Sequence, residues 1–128
     1  MAQTQRFTVL DHRFAVCRLA PGSPLPSVPA EATLWTLTVT ADEISLVCNE
    51  ASAPRSEAVE RSWRAIKIVG PLDFSLQGVL SSLLSPLAEM QMGVFVISTY
   101  DTDYILVKEF DLAGAIAALE SAGHVREG

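Results

Sequence analysis

The sequence predicts an α+β fold in which an antiparallel sheet carries its helices on one face. Two observations support this class. Short segments with apolar residues at every second position predict half-buried strands, and two longer segments with apolar residues three and four apart predict amphipathic helices. In the second half of the chain these elements follow the order strand, helix, strand, strand, helix. The length of 128 residues suits one compact domain or two very small ones that share a core.

The first half is predicted to consist mainly of strands. Residues 6–19 form two extended runs broken at Asp11-His12, and residues 34–48 form a hairpin that turns at Ala41-Asp42. Between them, residues 20–32 form a loop whose prolines remove too many amide donors for a long helix. These prolines are Pro21, Pro24, Pro26 and Pro29.

The polar residues 49–61 are interpreted as a connection between two halves of the chain. We therefore expect an N-terminal domain over residues 1–61 and a C-terminal domain over residues 62–128. Residues 65–69 form the first strand of the second half, and this strand ends at the turn-forming pair Gly70-Pro71.

The strongest helix follows that turn. Asp73 is placed to act as its N-cap, Gly93 marks its end, and Pro86 within it should bend or weaken it. Its apolar stripe consists of Leu76, Val79, Leu80, Leu83, Leu84 and Leu87.

Two apolar strands and a final helix complete the chain. Residues 93–99 and 104–108 are apolar at successive positions, so both sides of this part of the sheet should be covered. The last helix starts at an Asp111 cap and stops at Gly123. Because only five residues follow Gly123, a closing strand is not expected, and we infer that the two halves complete each other's sheet.

Composition excludes several classes of function. The net charge of −6, without a cluster of Lys or Arg, argues against binding to nucleic acid or to an anionic membrane surface. The polar start of the sequence lacks the apolar core of a signal peptide, and no apolar run is long enough to span a bilayer. These features predict a cytoplasmic location. Charged residues make up only 19%, which suggests that part of the surface is covered by another subunit.

No motif for catalysis, a metal or a cofactor stands out. Cys17 and Cys48 lie in apolar strand-like runs and are interpreted as small buried side chains. His12 and His124 lack a second ligand at metal spacing. A small enzyme would need a positioned acid or base. His12 and His124 are poor candidates, and a carboxylate pair such as Asp101 and Asp103 could serve in principle.

Two segments, VGPLDFSLQGVL and ISTYDTDYILVKEFDL, carry a resemblance to a known family. Residues 61–123, to which they belong, resemble the ACT domain of small bacterial proteins similar to the cytosolic arginine sensors of animals, and the first half resembles a shortened ACT repeat more weakly. The resemblance implies a ferredoxin-like βαββαβ fold in tandem, often paired into a homodimer, that binds a small effector and regulates a partner protein.

Two loops that follow strands form the predicted ligand site. In the first, Gly70 would allow a ligand to approach the backbone, and the amides that begin the helix would suit a carboxylate. In the second, a carboxylate beside a hydroxyl could hold an ammonium or guanidinium group. The predicted ligand-binding residues are Gly70, Leu72, Asp73, Phe74, Ser75, Ser98, Thr99, Tyr100, Asp101, Thr102 and Asp103.

A donor end and an acidic end together match a free amino acid, and the acidic pocket would favour a basic one such as arginine. Two alternatives stay open for the loops: Asp73 could cap its own helix and exclude an anion, and residues 98–103 could be an ordinary hairpin turn. For the whole protein, the alternatives are an interaction module without a ligand and a small ferredoxin-like enzyme.

Overall fold

A computed structural model describes residues 4–73 and 77–128 of the chain. It contains seven described strands and two described α-helices, joined in places by short 3-10 helices. The elements are β1 (Arg6–Leu19), β2 (Thr36–Val39), β3 (Ile44–Asn49), β4 (Ala58–Ile68), α1 (Val79–Glu89), β5 (Val94–Ser98), β6 (Asp103–Lys108), α2 (Leu112–Ser121) and β7 (Val125–Arg126). The α+β class and the antiparallel hairpins expected from the sequence are confirmed.

The chain forms two compact units, and β1 and β4 each contribute residues to both. The first unit comprises the residues up to Asp11 and from Arg64 onward, and the second comprises His12–Trp63. The expected division into domains at residues 61 and 62 stays a prediction. The compact units have other boundaries than these domains, because the start of β1 belongs to the same unit as the C-terminal half of the chain.

In the first unit the order of neighbouring strands is β1, β4, β6, β5, with β7 pairing in parallel with β1. The expectation that a closing strand is absent was wrong, since Val125 and Arg126 form β7 and pair with Arg6 and Phe7. The helices bury one apolar face each against this unit's core. The core consists of Phe7, Ile66, Ile68, Val79, Leu83, Leu87, Ile105, Val107, Ala115 and Leu119.

Burial differs between the two strands of the last hairpin. Three successive residues of β6, Ile105–Val107, are fully buried, as expected for a strand covered on both sides. The same expectation was wrong for β5, none of whose residues is buried. The reason is position, because β5 is the last strand in the order and has a neighbour on one side only.

In the second unit β1 pairs with β3, and β3 pairs with β2, both antiparallel. The expected hairpin is confirmed, and its turn is closed by the Thr40 amide, which donates to the Glu43 carbonyl at 2.9 Å. The expected break at Asp11-His12 was wrong, since β1 continues without interruption over 14 residues. The small core of this unit is formed by Ala15, Cys17, Leu46 and Cys48.

The boundaries of α1 and β4 also required correction. Helix α1 begins at Val79, so Asp73 is not its N-cap; Gly78 holds that position with a φ of 77°. The helix ends at Glu89, four residues before Gly93. Strand β4 begins at Ala58, within the segment expected to be a connection. Leu76, the first residue of the predicted stripe, lies outside the described residues.

Helix α2 begins and ends close to the predicted positions. Asp111 is its N-cap residue, although its side chain makes no capping hydrogen bond to a residue in the described part of the chain. Gly123 follows the helix with a φ of 99°, a conformation that favours glycine. Neither helix, nor any other in the ranges 4–73 and 77–128, is long and apolar enough to cross a membrane.

Candidate functional site

The two loops predicted to bind a ligand lie side by side in the first unit. The amide of Leu72 donates to the carbonyl of Asp101 at 2.6 Å. The hydroxyl of Thr102 donates to the carbonyl of Ile68, the last residue of β4, at 2.7 Å. These two hydrogen bonds fix the segment between β5 and β6 (residues 98–103, with the strand ends) to the end of β4 and to the loop after it (residues 69–73).

Gly70 is required by this contact. A Cβ atom added at Gly70 would lie 2.8 Å from the Asp101 carbonyl oxygen and 3.1 Å from Cβ of Thr102. The first distance is shorter than real Cβ contacts, and the obstructing atom belongs to the backbone. The space beside Gly70, expected to admit a ligand, is thus occupied by the neighbouring loop.

The loop between β5 and β6 is held by its own hydroxyl groups. The amide and the hydroxyl of Thr99 both donate to the carbonyl of Thr102, at 2.8 and 3.0 Å. Thr102 is 5% exposed, whereas Tyr100 is 80% exposed. This is the hairpin turn that the sequence left open as an alternative, and its hydrogen bonds leave the side chains of Tyr100 and Asp101 at the surface.

The two acidic residues of this loop differ in their surroundings. One carboxylate oxygen of Asp103 accepts a hydrogen bond from the Ser98 hydroxyl at 2.5 Å. The carboxylate of Asp101 is exposed and has no hydrogen-bond partner among residues 4–73 and 77–128. Asp101 can therefore accept from a ligand with both carboxylate oxygens, whereas Asp103 keeps one oxygen bound to Ser98.

A cavity of about 370 Å³ lies between these loops and the start of α1. This volume is within the range of about 300–1,000 Å³ that is usual for small-molecule sites. Its lining includes eight of the eleven predicted residues, and Gly70 is not among them. Phe74 and Ser75 lie outside the described residues. The eight are Leu72, Asp73, Ser98, Thr99, Tyr100, Asp101, Thr102 and Asp103.

The first turn of α1 supplies the rest of the lining. Its residues were not among those predicted to bind the ligand. Residues 78–81 border the cavity, and no described side chain caps the helix. Its first internal hydrogen bond runs from the Ser82 amide to the Gly78 carbonyl at 2.9 Å, so the amides before Ser82 have no helical partner. The glycine at position 78, directly before the apolar stripe, was the signal that could have located this helix start.

A larger groove of about 830 Å³ lies between α1 and α2. Small side chains line it, and Glu89 is its single ionisable residue among those that the structure describes. Its lining lacks the three aspartates that border the smaller cavity, so we place the ligand site in the smaller cavity. No three His, Cys, Asp or Glu side chains in the described ranges lie close enough together to hold a metal ion.

Comparison with known proteins gives two family matches. The sequence model described as an ACT domain matches residues 58–121. A second model, of the N-terminal domain of another protein family, matches residues 12–56. The first match covers half of the chain and contains both loops and the helix start that line the smaller cavity.

Similar sequences and structures extend over most of the chain. The cytosolic arginine sensor for mTORC1 subunit 1 of Bos taurus is 31% identical over 133 residues, which cover 87% of this chain and 40% of that protein. This chain thus spans less than half the length of that relative. A crystal structure of a protein from Agobacterium tumefaciens superimposes with a TM-score of 0.90 at 31% identity, covering 98% of this chain and 94% of the other.

A more distant structure shows the same fold. The regulatory subunit of aspartate kinase from Thermus thermophilus has a TM-score of 0.61 at 14% identity, covering 89% of this chain and 94% of that one. With the family match, this similarity confirms the ferredoxin-like ACT fold predicted from the sequence.

Proposed function

Because the chain belongs to the ACT domain family, we propose that it is a non-enzymatic regulatory protein that binds a free amino acid in the cavity between its two loops and α1. The observation that carries the proposal is that two kinds of group line one cavity. Uncapped amides at the start of α1 and the carboxylates of Asp101 and Asp103 all border it.

The amides suit the α-carboxylate of an amino acid. A helix start carries a partial positive charge and presents N–H groups that have no partner within the helix. The α-carboxylate would accept hydrogen bonds from the amides of Val79 to Ser81, where no described side chain competes for them. The role predicted for the amides of Phe74 and Ser75, which lie outside the described residues, stays a prediction.

The carboxylates suit a cationic group. Asp101 would accept from the α-ammonium group or from a basic side chain, and Asp103 would do so with the oxygen that does not bind Ser98. Three aspartates, Asp73, Asp101 and Asp103, line the cavity, and this excess of negative charge over one α-ammonium group favours a ligand with a second positive charge, such as arginine. The relatives named as cytosolic arginine sensors support this choice and a cytoplasmic location.

The protein would act through a partner, which is supported by its similarity to relatives that are named as sensors. We also propose that it forms a homodimer, which is supported by the low charged fraction of 19%. Sedimentation equilibrium at micromolar concentration tests the dimer, and a single species of 13.8 kDa would contradict it.

Thermal unfolding in the presence of each of the twenty amino acids tests the ligand. A ligand at 100 times its Kd adds about 2.7 kcal/mol to the free energy of unfolding. For a domain of this size the melting temperature should rise by several degrees, and we expect the largest rise with arginine. A flat response to all twenty at millimolar concentration would contradict the proposal.

Two variants locate the site in the same assay. Asp101→Asn removes the unpartnered carboxylate, and we expect it to reduce the rise in melting temperature. Asp42→Asn is the matched control, since it removes the same charge from the exposed turn between β2 and β3. An equal loss in both variants would show that net charge, and not this site, governs the response.

A further inference from the structure

The sequence of residues Ser23–Pro29 imposes the backbone constraints of a polyproline II helix. The segment contains neither helix nor strand. Three of its seven residues are prolines, whose rings fix φ near the polyproline II value. Three others, Ser23, Leu25 and Val28, each precede a proline and are restricted to extended conformations. Only Ser27 lacks a local constraint, so the sequence itself orders this segment.

The burial pattern shows the periodicity of such a helix. Along residues 21–29 every third residue is half-buried, namely Ser23, Pro26 and Pro29, and the six others are exposed. A polyproline II helix has three residues per turn, so residues three apart share one edge. The peptide bonds before its prolines are trans. One edge of the segment therefore faces the protein and two edges face solvent.

The solvent-facing edges of the segment carry apolar side chains, and its central backbone groups make no hydrogen bond with the described residues. Leu25 is 58% exposed and Val28 is 60% exposed, and their spacing of three places both on one edge. The hydrogen bonds of the segment lie at its ends, where Ser23 donates to Ala20 and the Ala32 amide donates to Pro29. The backbone groups from Pro24 to Val28 make none with the described residues. No charged residue lies between Arg18 and Glu31.

We propose that Ser23–Pro29 is a docking segment for a partner protein with an aromatic-lined groove that recognises polyproline II helices. Such grooves pack rings against the apolar ridges of the segment and donate hydrogen bonds to its free carbonyl groups. Because the segment is already ordered, binding loses little conformational entropy. A helix-binding groove or a sheet edge would not fit, since the prolines remove amide donors that either mode requires. The absence of charge indicates a neutral groove.

Titration of the full chain with purified SH3, WW and EVH1 domains, measured by isothermal calorimetry, tests this proposal. We expect at least one of these domains to bind. Val28→Glu should weaken that binding by about tenfold or more, because a charge enters an apolar contact. Val39→Glu is the matched control, since Val39 is 59% exposed on β2 and outside the segment. It should bind as the wild type does.

A second variant separates conformation from apolar contact. Pro24→Ala leaves Leu25 and Val28 in place and frees the backbone around them, so binding should weaken. The melting temperature should fall by only a few degrees, because the unfolded chain gains conformational entropy. Three results would overturn the proposal: no binding by any of the three domains at millimolar concentration, equal binding by wild type and Val28→Glu, or self-association of the chain that Val28→Glu abolishes. The last would identify a second copy as the occupant. None of these results depends on the amino-acid site.

Discussion

The imidazole Nε2 of His124 lies 3.0 Å from the carbonyl oxygen of Ser82. That carbonyl would accept from the amide of residue 86 in an uninterrupted helix, but residue 86 is a proline and has no N–H. The amide of Gln5 donates to the Nδ1 atom of the same ring at 3.0 Å, so Nε2 carries the proton and donates to Ser82. His124, which is 4% exposed, thus replaces the hydrogen bond that Pro86 removes from α1.

This relationship predicts a coupling between His124 and Pro86. His124→Ala should lower the free energy of unfolding by about 3 kcal/mol, because it leaves buried hydrogen-bonding groups unpaired. In a Pro86→Ala background the same change should cost about 1 kcal/mol less, since the alanine would then supply its own amide to the Ser82 carbonyl. Urea denaturation of the four proteins measures the coupling, and additive effects would contradict it.

The contact between the two loops predicts a specific sensitivity at Gly70. Gly70→Ala should lower the free energy of unfolding by about 1–3 kcal/mol, because the new Cβ meets the Asp101 carbonyl and the backbone must move. Gly93→Ala is the control, since a Cβ there meets nothing within 4 Å. It should change stability by less than about 0.5 kcal/mol. Equal effects in thermal unfolding would show that the close approach at Gly70 is unimportant.

The two buried thiols predict a loss of stability at high pH. Burial raises the pKa of the Cys48 thiol from 9.0 to about 12, and the neighbouring Cys17 adds to the shift. The unfolded chain therefore loses this proton at a lower pH than the folded chain does. The free energy of unfolding should fall as the pH rises from 9 towards 12, and the contribution of this thiol should be fully present below pH 9. Urea denaturation at several pH values in this range measures how steeply the free energy of unfolding falls with pH. We expect a shallower fall in the Cys48→Ala variant. An unchanged slope in that variant would contradict the assignment.

Local patterns predicted most of the elements and missed the pairing between distant ones. The apolar residues that alternate around Trp35 pack against one core, and so do those that form the helical stripe through Leu83. The hairpin and α1 could therefore be predicted from the spacing of apolar residues that are close in sequence. The position of β1 beside β4 depends on residues more than fifty apart, such as Val69, whose amide donates to the Arg6 carbonyl. No local pattern contains that information.

The candidate site was predicted in part for a similar reason. Loop composition identified residues 98–103, since hydroxyl and carboxylate side chains at the end of a strand are visible in sequence. The start of α1 was placed too early because Asp73 is a strong capping residue, whereas a glycine at position 78 holds the cap position. The function of His124 was missed because its partners, Gln5 and Ser82, lie far from it in the chain.

The central claim is that a free amino acid binds between the two loops and α1. Two-dimensional NMR of the ¹⁵N-labelled protein during titration with arginine tests it most directly, because each backbone amide reports its own surroundings. We expect shifts in the amide signals of residues 79–81 and 99–103, with little change at Ala117 and Ser121 in the groove between the helices. No shift with arginine or any other amino acid at millimolar concentration, or shifts confined to that groove, would contradict it.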